Sequence, residues 1–379
     1  MSRVAALQTD ALIVGAGPTG LTLGIALLLQ GRSVVIIDKH LAGLPYSRAI
    51  LINGETMGAL QPLGISQTLR AAGQPVDGFE LHIDGALRCV LPNPVDPATG
   101  PLLLPQLVTE RILCERYLQL GGTLHRGYSF TAPAGRRDGS AGQIDLLPTE
   151  SSQPVLQIQC QWLFGCDGMH SSVRTALGLG WHGRSQPEQG HAMDATLVNW
   201  PFSTNAALYA GADGMALALR IGPRTLRIAG TTAAHCRAVL DQLPVEALTW
   251  DASFNIQFMT ADTYGIGQTW LAGDATHVHS PIGGRGMNMG IADALALAAA
   301  VGSQQLADYG ARRKPVAARW VRINYVLSRV LMGGERWAQM LRWTLRICIR
   351  LLLALGGQRW LLPVLQRLIR VDPSRSSVQ

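Results

Sequence analysis

The stretch Asp10-Ala-Leu-Ile-Val-Gly15-Ala-Gly17-Pro18-Thr19-Gly20 constrains this chain more than any other. A short apolar run passes directly into a Gly-x-Gly-x-x-Gly turn, and an apolar helix is predicted over Leu21 to Gln30. A continuous run of this kind, closed by glycine, reads as a parallel strand buried on both faces. A second strand is predicted over Ser33 to Ile37, closing on Asp38-Lys39. Each part has a physical task. Gly15 permits the tight turn, Gly17 lets the backbone approach a pyrophosphate, and Gly20 lets helix and strand pack closely. Pro18 and Thr19 lie in the turn before the helix, whose free N–H groups and positive dipole end suit phosphate. Asp38 can accept a hydrogen bond from an adenosine ribose hydroxyl. The segment specifies a dinucleotide with an ADP half and leaves NAD and FAD open.

Two later segments add chemistry. Gln161 to Cys166 reads as a buried strand ending in Asp167-Gly168, with Ser171 or Ser172 as the cap of a following helix. A carboxylate there can bind a hydroxyl or orient neighbouring amides. The third segment runs from Thr269 to Asn288: a short strand ends in Gly273-Asp274, and after a polar loop a Gly-rich turn opens an alanine-rich helix over Met287 to Val301. Asp274 is placed to take a hydroxyl of a ribityl-like chain. The helix start, with Gly284, Gly286, Met287 and Asn288, points N–H groups and a dipole at a group that gains negative charge, as reduced flavin does. Pro281 offers a flat wall without an amide hydrogen. His277 and His279 share the loop; His277 is the candidate acid–base group, although a histidine bonded to backbone is the favoured reading. No Cys or carboxylate stands at ligand spacing from them, so no metal is expected.

With these segments in place, the chain resembles the class A FAD-dependent aromatic monooxygenases of the p-hydroxybenzoate hydroxylase type, from about residue 8 to about residue 325. Two more stretches fit: Arg48-Ala-Ile-Leu-Ile-Asn53-Gly-Glu-Thr56-Met57 and Gln106-Leu-Val-Thr-Glu110-Arg-Ile-Leu113. The resemblance implies that Arg48 lies by the FAD pyrophosphate and that Gln106 contacts the cofactor. It places Asp167 in the dual FAD/NAD(P)H motif and Asp274 in the riboflavin motif. It also implies a reaction in which NAD(P)H reduces FAD without a second nucleotide domain. O2 then yields a flavin C4a-hydroperoxide that hydroxylates an aromatic or polyketide-like substrate. Phe254 to Gln268 lacks the arginine-rich strand of many relatives, and Ala296 stands where they commonly place Asn. An oxidase or reductase of the same fold without oxygen insertion, and a catalytically silent FAD-binding protein, are the alternatives. A flavin halogenase is disfavoured by the absence of a Trp-x-Trp-x-Ile-Pro run.

The expected fold is α/β: a Rossmann-like FAD-binding domain (8–75, 102–182, 263–325), an interleaved antiparallel-sheet substrate domain (76–101, 183–262) and C-terminal helices (326–371). The alternating runs Ala216-Leu-Ala-Leu-Arg220 and Thr225-Leu-Arg-Ile-Ala229 suggest the second sheet. It carries no charged clamp, which points to a lipophilic substrate. The net charge of +7 is uneven: from Ala311 to Val371 basic residues recur and Glu335 is the only acid. That stretch reads as amphipathic helices, with Trp337, Leu341, Leu345, Cys348, Leu352 and Leu355 on one face and Arg342, Arg346 and Arg350 on another. The favoured expectation is that the apolar face covers the FAD domain and the arginines meet water; the other is peripheral contact with anionic lipid. Arginines interrupt every apolar run, which argues against a membrane span, and no nucleic-acid motif accompanies them. With no export signal and six scattered cysteines, a cytoplasmic protein is expected.

Overall fold

The computed structural model describes residues 6–43, 49–93, 95–131, 137–150, 154–211 and 214–355. Its helices, among these residues, are α1 (Pro18–Leu29), α2 (Gly54–Ala59), α3 (Ser66–Ala72), α4 (Gln106–Gln119), α5 (Ser172–Ala176), α6 (Ala233–Leu240), α7 (Gly286–Gly302), α8 (Leu306–Met332) and α9 (Arg336–Ala354).

The strand Ala6–Val14 lies at the heart of the first sheet. Its neighbours are Leu156–Gly165 on one side and Val34–Asp38 on the other, with Thr269–Leu271 and Thr123–Arg126 beyond them, all parallel. Alternate residues of this strand serve two cores. Ala11 and Ile13 pack under α1, α4 and α7, while Leu12 and Val14 pack with Ile37, Ile144 and Leu163 on the other face. That double burial is why the sequence reads as an unbroken apolar run, with each fully buried Leu or Ile worth about 1.5–3 kcal/mol. Tyr117 of α4 ties the layers together, its hydroxyl 2.8 Å from the Val34 carbonyl.

The second sheet runs Ala86–Pro92, Gly78–Ile83, Ala206–Gly211, Gly214–Arg220, Thr225–Gly230, Trp181–Leu197, Val245–Ala261 and His277–Val278. It contains the two alternating runs expected to form it. All its pairings are antiparallel except Gly78–Ile83 with Ala206–Gly211, which is parallel, so the expected antiparallel sheet carries one exception. The strands Gly78–Ile83 and Ala206–Gly211 are separated by more than a hundred residues, so no hairpin fixes their relative direction. The strand His277–Val278 also joins this sheet, although it falls in the 263–325 segment assigned to the first.

The C-terminal helices depart from expectation in two ways. Helix α9 packs on the second sheet rather than on the nucleotide-type domain: Ile349 and Leu353 meet Leu81, Ile83, Cys89 and Leu91. Its orientation is also reversed. Arg346 and Arg350 reach Asp84 at 3.3 and 3.0 Å, Arg342 donates to the Val330 and Gly333 carbonyls, and Trp337, Met340, Trp343, Leu351 and Leu355 are exposed. The reason is long-range. The sheet hairpin offers a carboxylate and the α8–α9 turn offers carbonyls, so the arginine side of the helix finds partners. Residues 356–371 of the expected extension lie outside the described residues.

Candidate cofactor site

The parallel sheet brings the three segments together at one edge. Val14 pairs with Gly165, and Gly165 with Leu271, so the residues after each strand emerge side by side at the carboxyl ends. In open α/β sheets this is where ligands bind.

The first turn contains glycines required for different reasons. Gly15 has φ +108°, and a Cβ there would lie 2.3 Å from the Cys166 carbonyl oxygen. A Cβ on Gly20 would lie 2.0 Å from the Gly15 oxygen. At Gly17 a Cβ would meet no protein atom within 4 Å, and φ is an ordinary −78°. Packing thus accounts for Gly15 and Gly20 and leaves Gly17 to something outside the protein. Gly17 caps α1 without a side-chain hydrogen bond, Pro18 fills the first turn, and the N–H groups of Thr19 and Gly20 have no helical acceptor. The Thr19 side chain packs toward the third segment, since a Cβ on Gly273 or Gly290 would fall 2.6 or 2.4 Å from its Oγ1. Asp38 ends its strand as expected and orders the turn, accepting from Ala16 N at 2.8 Å and from His40 N at 2.8 Å. Lys39 is exposed.

Gln106 begins α4 and accepts from Ala49 N at 3.1 Å while donating to Glu110 at 2.7 Å. Burial, reinforced by nearby Asp38, pushes the Glu110 carboxyl above its usual range. Arg48 lies outside the described residues.

Ser171, one of the two serines expected to do so, caps α5, and Asp167 braces the same turn: its Oδ2 accepts from Ser172 N at 2.7 Å and Ser172 Oγ at 2.8 Å. Its Oδ1 is buried and has no protein partner among the described residues. Such an atom fits a ligand hydroxyl or amide, since buried acceptors are rarely left unpaired. Burial first, then Asp167 and Asp293, push the neighbouring Cys166 thiol far above its ordinary value, so it packs rather than attacks.

The third segment turns through Gly273–Ala275 and leaves Asp274 exposed at the strand ends. Pro281 is exposed as well, and Gly284 N donates back to the Pro281 carbonyl at 2.9 Å, closing the turn before α7. Helix α7 starts at Gly286, one residue before the expected start, with no side-chain cap on its N-terminus. The N–H groups of Met287 and Asn288 therefore lie in the uncapped first turn. A Cβ on Gly286, as on Gly17, would meet nothing within 4 Å. The Asn288 side chain is committed to bracing: it accepts from Asn53 N at 3.0 Å and donates to the Leu51 and Gly284 carbonyls at 2.9 and 2.7 Å.

His277 is buried, and its Nε2 lies 2.7 Å from Asp293, not on backbone as the favoured reading had it. Asp293 also accepts from Gly273 N at 3.2 Å and from Arg313 Nε at 2.6 Å. His279 does meet backbone, at the Ser280 carbonyl (2.8 Å), and burial pushes it down to about 4, so it is neutral near pH 7. The sequence reading missed Asp293 and Arg313. A lone acid in an otherwise apolar, alanine-rich helix was the available signal. It also missed Arg285, buried 3.5 Å over the Trp320 ring, whose guanidinium burial pushes down to about 10.

A cavity of about 420 Å³ lies elsewhere, between the second sheet and the α8–α9 turn, and none of the candidate cofactor residues lines it. Ser253 and His191 on its wall, with Asp251 behind them, form a hydrogen-bonded chain at 2.9 and 2.7 Å. His191 and Ser253 are register partners on adjacent strands, which accounts for that chain as cross-strand pairing. No group of three or more potential metal ligands occurs among the described residues.

The FAD binding domain family matches residues 8–224 and 227–324, which covers all three segments. The chain belongs to this family. Among its relatives is the 6-methylpretetramide 4-monooxygenase of Streptomyces rimosus, 32% identical over 349 residues, or 81% of this chain and 59% of that protein. The rifampicin monooxygenase of Rhodococcus hoagii is 28% identical over 342 residues, covering 82% of this chain and 69% of that one. This FAD binding domain protein thus spans 59% of the length of the first relative. Its fold is similar to that of the p-nitrophenol 4-monooxygenase PnpA from Pseudomonas putida DLL-E4, with TM-score 0.77 and 20% identity over 97% of this chain and all of that one. The OxyS anhydrotetracycline hydroxylase from Streptomyces rimosus superposes with TM-score 0.70 and 26% identity, covering 94% of this chain and 75% of that one.

Proposed function

We propose that this protein is an FAD-dependent monooxygenase that uses NAD(P)H and O2 to hydroxylate an aromatic or polyketide-like substrate. The observation that carries the proposal is the meeting, at adjacent strand ends, of the open Gly17 turn, the unpartnered Asp167 Oδ1 and the exposed Asp274 beneath the uncapped start of α7. Three of the proteins named above are monooxygenases by name, of 6-methylpretetramide, rifampicin and p-nitrophenol, and the fourth is an anhydrotetracycline hydroxylase.

Bound FAD would supply the electron transfer and oxygen activation. The chain's own groups would hold and polarise it. The Gly17 backbone and the N–H groups of Thr19 and Gly20 would meet the pyrophosphate, and Asp38 would use its remaining lone pairs on the adenosine ribose. Asp167 Oδ1 would accept from the cofactor, and Asp274 would accept a ribityl hydroxyl. Pro281 would wall the ring. The Met287 and Asn288 N–H groups, with the α7 dipole, would stabilise negative charge near the flavin N1 and C2=O. Arg48 and the nicotinamide contact rest on the resemblance alone. His277 would stay beneath the loop, since its Nε2 is held by Asp293.

The test is an absorption spectrum of the purified protein, followed by NADPH and NADH addition in air with an aromatic panel. A flavin band, substrate-stimulated NAD(P)H oxidation and an oxygenated product are expected. Oxidation without such a product would replace the reading with an oxidase, and no flavin after reconstitution would overturn it. Asp274→Ala is expected to purify largely as apoprotein with an unchanged far-ultraviolet spectrum, because the residue is exposed and sits at the strand ends where the three segments meet. Full flavin occupancy in that variant would remove Asp274 from the ribityl contact.

A further inference from the structure

We propose that α9 is a membrane-surface helix whose outward apolar stripe enters the interfacial layer of an anionic bilayer. The proposal stands apart from the redox reading, since it rests on a different face of the molecule.

Its first support is the inverted orientation of the helix. The side facing the protein carries Ala338, Ile349 and Leu353 together with Arg342 and Arg346, whose charges are met by carbonyls and by Asp84. The opposite side exposes Trp337 (50%), Met340 (69%), Trp343 (59%), Leu351 (59%) and Leu355 (86%). Single exposed apolar residues are ordinary, but a row of them on one helix, two of them tryptophans, marks an interaction surface. With 19 residues the helix is about 28 Å long and could lie flat on a surface. No helix among the described residues is long and apolar enough to cross a membrane.

Charge selects the occupant. Helices α8 and α9 and the turn between them carry ten basic residues and two acids, Asp308 and Glu335, and both acids are paired, with Arg312 and Arg329. The acids reaching α9 and its N-terminal turn from the sheet are Asp84, held by Arg346 and Arg350, and Glu188, which accepts from Gly334 N. Arg336 and Arg350 remain exposed beside the stripe. A second copy would bring the same positive face against itself across a two-fold axis, whereas an anionic leaflet complements it. Tryptophan rings, apolar with one N–H donor, suit the headgroup level.

The experiment is flotation of the full chain with phosphatidylcholine vesicles, with and without phosphatidylglycerol, alongside analytical ultracentrifugation. Flotation with the anionic vesicles is expected, about tenfold weaker or more with neutral ones, and falling with added salt. Trp337→Glu with Leu351→Glu should abolish it while leaving the far-ultraviolet spectrum and any bound flavin unchanged, because both side chains are exposed. Absence of flotation on both vesicle types, or unchanged flotation in the variant, would overturn the proposal. So would a self-associated form dispersed by the same substitutions, which would assign the stripe to a second copy.

Discussion

Asp293→Ala is expected to cost the protein about 3–5 kcal/mol of stability, the range for removing one partner of a buried ion pair. Asp293 is fully buried and Arg313 nearly so, and the carboxylate holds Arg313, His277 and the Gly273 amide at once. Alanine would strand a guanidinium in the interior and free the Gly273 turn, loosening Asp274. Burial alone would raise the Asp293 carboxyl, but Arg313 and His277 more than offset it and hold it below the ordinary carboxylate range. Its folded value therefore lies below the unfolded one. The contribution is present above the unfolded value and disappears as pH falls through the depressed folded value. Urea unfolding across the acid range should show a steep loss in the parent protein and a flatter profile in the variant. Pairing the change with Arg313→Met should restore part of the stability. A cost under about 1 kcal/mol, the scale of an exposed pair, would mean that the network is dispensable.

Gly17→Val should weaken FAD binding by roughly tenfold to a hundredfold, the equivalent of 1–3 kcal/mol of steric overlap, and leave the fold intact. The contrast with Gly20→Ala makes the test specific. At Gly20 the added carbon would sit 2.0 Å from a backbone oxygen, whereas at Gly17 it would meet no protein atom within 4 Å. Gly20→Ala should therefore lower the melting temperature even without flavin, and Gly17→Val should not. Equal FAD affinity in parent and Gly17→Val, measured by flavin fluorescence quenching, would move the pyrophosphate elsewhere.

What the sequence made readable was local and periodic. The Gly15–Gly20 turn, the strand ending before Asp167 and the start of α7 within one residue follow from glycine spacing and apolar runs, because their geometry is set over a few residues. The partners of Asp293 were hidden, since Arg313 and His277 meet it only after α7 and α8 fold together. Helix α9 shows the same limit. Its three- and four-residue periodicity gives two faces, but which one turns inward depends on Asp84, more than two hundred residues earlier. The parallel pairing of Gly78–Ile83 with Ala206–Gly211 is likewise settled by topology, not by either strand's own pattern.

The strand His277–Val278 leaves the turn that holds Asp274 and, two residues later, pairs with Met259 and Thr260 at the edge of the other sheet. The two sheets are thus stitched together beside the proposed flavin contact. They cannot slide apart without tearing this seam or dragging the turn along. A displacement of the second sheet would therefore reach Asp274 as a tug on its own backbone, coupling the position of that sheet to the turn proposed to hold the flavin.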